Sequence, residues 1–279
     1  MTSTRTLALT RPDPAASSLR AALQAVRIGA AGALASPAGL VGRCLFYVIL
    51  MTILSAFWDV VARHPAAGAL AHAPKAGLAL YVGVTEWMTL GAAPIHLRLE
   101  DDIRFGALET ALLRPKPYLL LKIAESFGVC LARLGALGAV GLALLALSGR
   151  QPPPWPALAA LVLLGPLAAL QGTLIFAFAG LSTFWARRSL AAYLVLQKLS
   201  FLLGGLVAPV TLYPPWLEAI AKASPFAAQL YWPASLTLEP SVRVFALALA
   251  SLLAWLALLG LALTALWRAG LAKILREGA

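Results

Sequence analysis

The charged residues between Arg98 and Tyr118, in RLEDDIRFGALETALLRPKPY, offer docking chemistry rather than catalysis. They lie between two apolar runs of membrane length. Ile103, Ala107 and Ala111, or Leu108 and Leu112, recur at helical spacing, while Arg104, Glu109 and Arg114 mark the other faces. That pattern predicts a short amphipathic helix at the cytoplasmic surface. Such a helix can press on a soluble partner and pass force to the runs on either side. The sequence Arg114-Pro115-Lys116-Pro117 ends it before the next helix begins.

A second set of polar residues falls inside the apolar runs, where exposure to lipid is costly. Glu86, Arg133, Gln171 and Thr173 are the ones to weigh. Glu86 and Arg133 read either as a bridge between adjacent helices or, with Gln171, as part of a substrate path. An ion-coupled secondary transporter using Glu86 and Arg133 at the membrane midplane is the alternative reading. No catalytic or metal-binding set stands out. His64, His72 and His96 lack HExxH spacing, and no GxxxxGK[ST] phosphate loop occurs. Cys44 and Cys130 lie in different runs and read as small apolar side chains.

The elements that must position these residues follow from composition. With 61% apolar and 12% charged residues, the sequence is that of an integral membrane protein. All-helical architecture with six spans is expected: Cys44–Val61, Ala76–Leu97, Tyr118–Leu147, Pro156–Phe184, Leu190–Leu212 and Phe245–Trp267. Sixteen Lys and Arg then fall on one face and five on the other, with Arg133 between them. The positive-inside rule makes the richer face, and both termini, cytoplasmic. The formal charge of +11 is thereby assigned to anionic lipid headgroups, with no call for nucleic acid.

Two flanking segments complete the organisation. Before the first span, Leu19, Leu23, Val26, Ala30 and Leu34 share one helical face and Arg20, Gln24 and Arg27 another, which predicts an interfacial elbow helix with its basic side toward lipid phosphates. No secretory signal precedes it. After the fifth run, Tyr213, Trp216, Phe226, Tyr231 and Trp232 with several prolines predict a pair of short helices dipping back into the outer leaflet. Gly204, Gly205, Pro209 and Trp216 then form either an outer gate or a passive lid.

IRFGALETALLRP, the stretch from FWARRSLAAYLVLQKLSFLLGGLVAPVTLYPPW to LYWPA, and the terminal WRAGLAKILREGA together resemble the permease subunit of type-2 ABC exporters. The resemblance covers nearly the whole chain and is most specific in the first two motifs. It implies a disordered tail at 1–14, an elbow helix at 15–36, a membrane domain at 43–267 and a cytoplasmic tail at 268–279. Within the membrane domain, 98–117 would be the coupling loop and 213–241 the extracellular re-entrant region. Ile103, Arg104, Gly106, Leu108, Glu109, Leu112 and Arg114 would contact a separate ATPase chain that binds ATP and Mg, while Arg187 and Arg188 read first as positive-inside charges facing lipid and second as a further contact. This chain would bind no cofactor and catalyse no reaction. It would pair with a second permease, a copy or a relative, in a bacterial inner membrane, and its Leu- and Ala-rich spans suit an amphiphilic, lipid-like or drug-like export substrate.

Overall fold

Apolar runs satisfy their backbone polar groups inside a bilayer by coiling into helices, and helices supply all the regular structure among the described residues. The computed structural model describes residues 14–63, 75–113, 117–149 and 152–277. Arg114, His64, His72 and residues 1–13 of the expected tail lie outside them. The elements are α1 (Pro14–Leu34), α2 (Pro37–Arg63), α3 (Lys75–Leu90), α4 (Ile95–Arg104), α5 (Ala107–Leu112) and α6 (Tyr118–Leu147). They continue with α7 (Trp155–Leu181), α8 (Leu190–Leu203), α9 (Pro215–Ala223), α10 (Pro225–Gln229), α11 (Tyr231–Ser235) and α12 (Val242–Glu277). Five stretches are long and apolar enough to cross a membrane: Pro37–Val61, Gly77–Arg104, Tyr118–Leu147, Trp155–Phe184 and Val242–Arg276. The chain is a multi-pass membrane protein.

The run expected to continue from Leu190 to Leu212 stops as a helix at Leu203. A side chain on Gly204 would meet the Ser200 carbonyl oxygen at 2.2 Å, and Gly205 turns the chain with φ +66°. Backbone and neighbours come too close there for any larger residue. The chain then folds back through three short helices rather than the expected pair, and α10 and α11 are buried against α3, α7 and α12. Tyr81, Leu164, Ala168, Leu230, Ala234 and Leu252 form the main core at this α9 end. Ile95, Leu99, Leu108, Leu181, Phe184 and Leu263 form a second core at the opposite, α5 end.

α1 packs along α6 by a route that its leucine pattern did not predict. A Cβ on Gly29 would lie 1.9 Å from the Glu125 carbonyl oxygen, and one on Gly128 would lie 1.9 Å from that of Val26. The two backbones therefore touch, as small residues allow between membrane helices. Leu19, Leu23, Ile28 and Leu34 are left exposed. The buried face of α1 is a stripe of small residues centred on Gly29, displaced from the leucine face expected to carry Val26 and Ala30. At the other terminus, α12 continues unbroken to Glu277, so most of the segment expected as a tail is its last turns. There Lys273 Nζ donates to the Phe184 carbonyl at 2.9 Å.

The second expected span is broken. Between α3 and α4, Gly91-Ala92-Ala93-Pro94 interrupts the helix. Proline has no N–H to offer the carbonyl four residues back, which is that of Leu90. Arg43 Nη1 supplies the missing donor to Leu90 at 3.0 Å, and Arg133 Nη1 donates to the Ala92 carbonyl at 2.5 Å. Two arginines thus satisfy carbonyls that lipid would leave bare. The expected Glu86–Arg133 bridge does not form, because Arg133 serves the broken backbone instead. Among the described residues no cation makes an ion pair with the buried Glu86.

Candidate coupling site

The charged block is two helices with different fates, not one amphipathic surface helix. Gly106, at φ +74°, takes a left-handed turn that separates α4 from the six-residue α5. α4 packs against α7 and buries Ile95, His96, Leu99 and Glu100. Only the turn and α5 protrude. Phe105 is 74% exposed and Leu113 86%, and Leu112, Arg104 and Glu109 are exposed beside them. Arg104 lies over the Phe105 ring at 5.5 Å. Leu108, expected as a contact residue, is 1% exposed and belongs to the second core, with half-buried Ile103 packed beside it. Helical periodicity selected the face that holds α5 to the bundle. The face left free carries Phe105 and Leu113, which the sequence reading passed over.

Behind this tip, α4 is tied to its neighbours by a row of ionic contacts. Arg98 Nη1 meets Glu125 Oε1 at 2.6 Å, which joins α4 to α6. Asp102 Oδ2 accepts from Lys122 Nζ at 2.6 Å and from Tyr118 Oη at 2.5 Å. Tyr118 in turn stacks on Trp267 of α12, with ring centroids 5.4 Å apart. Lys122 and Glu125 are therefore both paired and partly buried.

Glu100 is the centre of the row. Its carboxylate, 4% exposed, accepts from the Ser189 backbone N–H at 2.8 Å and from Ser189 Oγ at 2.6 Å. Arg104 Nη1 approaches at 3.2 Å and the exposed Arg188 at 3.7 Å. Ser189 is the residue before the first turn of α8, where backbone N–H groups lack helical partners and favour negative charge. One carboxylate thus caps α8 and holds the base of the α5 tip. Neither Glu100 nor Ser189 was singled out from sequence. The available signal was that Arg98 with Asp102, and Glu100 with Arg104, put charge on two opposite faces of a helix that begins within an apolar run. His96, one turn before Glu100, stacks on Tyr193 of α8 with centroids 3.9 Å apart.

At the α9 end, Gly204, Gly205 and Pro209 are buried together, while Trp216 is exposed and apart from them. Tyr81 Oη donates to the Gly205 carbonyl at 2.7 Å, and Thr85 Oγ1 donates to that of Leu206 at 2.9 Å. Both donors come from α3 and are fully buried. Gln171 of α7, also buried, donates to the Pro225 carbonyl at 2.6 Å and so ties down the start of α10. Lys222 of α9 binds Glu218 at 2.6 Å; burial lowers the ammonium's pKa, but Glu218 and Tyr231 together outweigh burial and leave it raised.

The sequence from residue 78 to 278 matches the family described as ABC-2 family transporter protein. The match spans well over half of the chain, which therefore belongs to that family. No curated protein has a matching sequence.

Proposed function

We propose that this member of the ABC-2 transporter family is the permease subunit of an ATP-driven exporter, and that its α5 end docks on a separate ATPase chain. The observation that carries this reading is the exposed Phe105 and Leu113 at the two ends of α5, with the exposed Arg104 and Glu109 in the same segment. A large apolar tip rimmed by charge is the composition of an interface centre. By the distribution of Lys and Arg, that end faces the cytoplasm, with ATP and Mg held by the partner.

Displacement of the tip would reach the membrane helices through α4. Arg98 and Asp102 would pull on α6, Glu100 on α8, and the Tyr118–Trp267 stack on α12. The bundle would then alternate between two packed arrangements as the ATPase binds and releases nucleotide. We take α8 as a short sixth span. It begins at Glu100 of α4 and its following turn reaches Tyr81 of α3, toward opposite ends of the α3–α4 path. Both termini are then cytoplasmic, and α1 is the elbow. A second permease completes the path, the substrate is amphiphilic or lipid-like, and the setting is the bacterial inner membrane.

Phe105→Asp, Leu113→Asp and Glu109→Arg test the docking assignment. Each changes an exposed residue, so membrane insertion and yield should stay near wild type. Co-purification of the ATPase should fall by about 30-fold for either apolar variant, the effect of losing an interface anchor. Wild-type recovery of the ATPase with all three variants refutes the site.

A further inference from the structure

A cavity of about 560 Å³ opens between the α2–α3 pair and the α6–α7 pair in the half of the bundle nearer α9. It runs from Tyr47, Trp87 and Gly138 within the bundle to Asp59, Ser148 and Trp155 near the ends of α2, α6 and α7. Leu142, Val162 and Trp155 line it and are exposed at the side of the bundle. The cavity is therefore open along its flank, toward the surroundings of the membrane helices.

Apart from Ser55 and Asp59, the polar side chains of the wall are turned to backbone acceptors. Tyr47 Oη donates to the Gly83 carbonyl at 3.0 Å, and Thr52 Oγ1 to that of Val48 at 2.8 Å. Trp87 Nε1 donates to the Leu134 carbonyl at 2.8 Å, and Ser148 Oγ to that of Leu145 at 3.0 Å. These donors are engaged with backbone, and the rest of the lining is largely hydrocarbon. A void of this kind stays dry and gains dispersion contacts when an apolar group fills it. Within a bilayer, the hydrocarbon available at a lateral opening is a lipid tail.

We infer that this cavity takes one acyl chain of a phospholipid, with the headgroup beside Asp59, Ser148 and Trp155 and the chain end against Trp87 and Gly138. Assignment of that lipid to the outer leaflet rests on the orientation proposed above. The cavity is remote from the α5 tip, so the two readings fail separately.

The full chain, reconstituted in phosphatidylethanolamine vesicles doped with a phospholipid carrying a diazirine at one acyl terminus, provides the test. After illumination, peptide mass spectrometry compares labelling around Trp87 and Gly138 with labelling around Leu261, an exposed residue of α12. The expected result is enrichment at the cavity. Ala56→Phe and Ala159→Phe fill it from opposite walls, both at exposed alanines. Each should lower cavity labelling about tenfold with α12 labelling unchanged, because a phenyl ring displaces several methylenes at once. Co-purification of the ATPase should be unaffected. Labelling at the cavity no greater than on α12, unaltered by either variant, overturns the inference. So does protection of the cavity residues, whether by water or by a second copy of the chain.

Discussion

Removal of the Glu100 carboxylate tests whether α4 transmits movement to α8. Glu100→Ala deletes the acceptor for the Ser189 N–H and Oγ and leaves a buried backbone donor unpaired. It also frees Arg104 and Arg188 from their shared partner. Arg188 contributes little, because it is 70% exposed and solvent screens the contact. Hydrogen bonds to a charged group are worth about 1.5–3 kcal/mol each, and breaking a buried ionic cluster from one side costs about 3–5 kcal/mol in all. Taking the lower figure, opening of the first turn of α8 becomes about 100-fold more frequent. Hydrogen exchange of the amides of residues 189–193 reads this directly. Ser189→Ala removes only the hydroxyl and should cost about 1.5 kcal/mol, the low end for a bond to a charged group, or roughly tenfold in protection. With the tip intact, the Glu100 variant should still co-purify the ATPase but no longer drive transport. Wild-type protection of α8 in Glu100→Ala, or wild-type transport with that protection lost, refutes the transmission argument.

Gly29→Leu or Gly128→Leu should separate α1 from α6 at a cost of about 1–3 kcal/mol or more, read as a lowered unfolding temperature in detergent, since each side chain would enter a carbonyl oxygen at 1.9 Å. Combined Tyr81→Phe and Thr85→Val should loosen the turn at Gly205 and Leu206, so that a cysteine at the fully buried Ala228 gains reactivity toward an impermeant thiol reagent by about tenfold, in a background lacking Cys44 and Cys130.

Composition and run length identified the class and most of the helices, because the requirement for internally satisfied backbone leaves few other solutions in a membrane. What escaped the sequence was partnership. Glu86 and Arg133 looked like a pair because both were charged and intramembrane, but Pro94 created carbonyl acceptors that a list of side chains does not display. Leu108 looked like a contact residue because helical periodicity does not say which side of an amphipathic helix meets its own protein. Glu100 looked like part of a solvated charge run because its donor, Ser189, lies 89 residues away. Glycine carried more than its type suggested: Gly29 and Gly128 mark a crossing that only coordinates reveal.

That crossing imposes an order on synthesis. α1 leaves the ribosome long before α6, its packing partner, has been made. At about 5–20 residues per second, the wait is on the order of ten seconds. During it the helix has only α2, its lesser neighbour, to pack on, and Leu19, Leu23 and Ile28 stay exposed even in the finished protein. Only once α6 has been made can α1 seat Gly29 against Glu125. A side chain at either glycine would block this docking without altering the insertion of the spans, leaving a bundle whose first helix stays undocked.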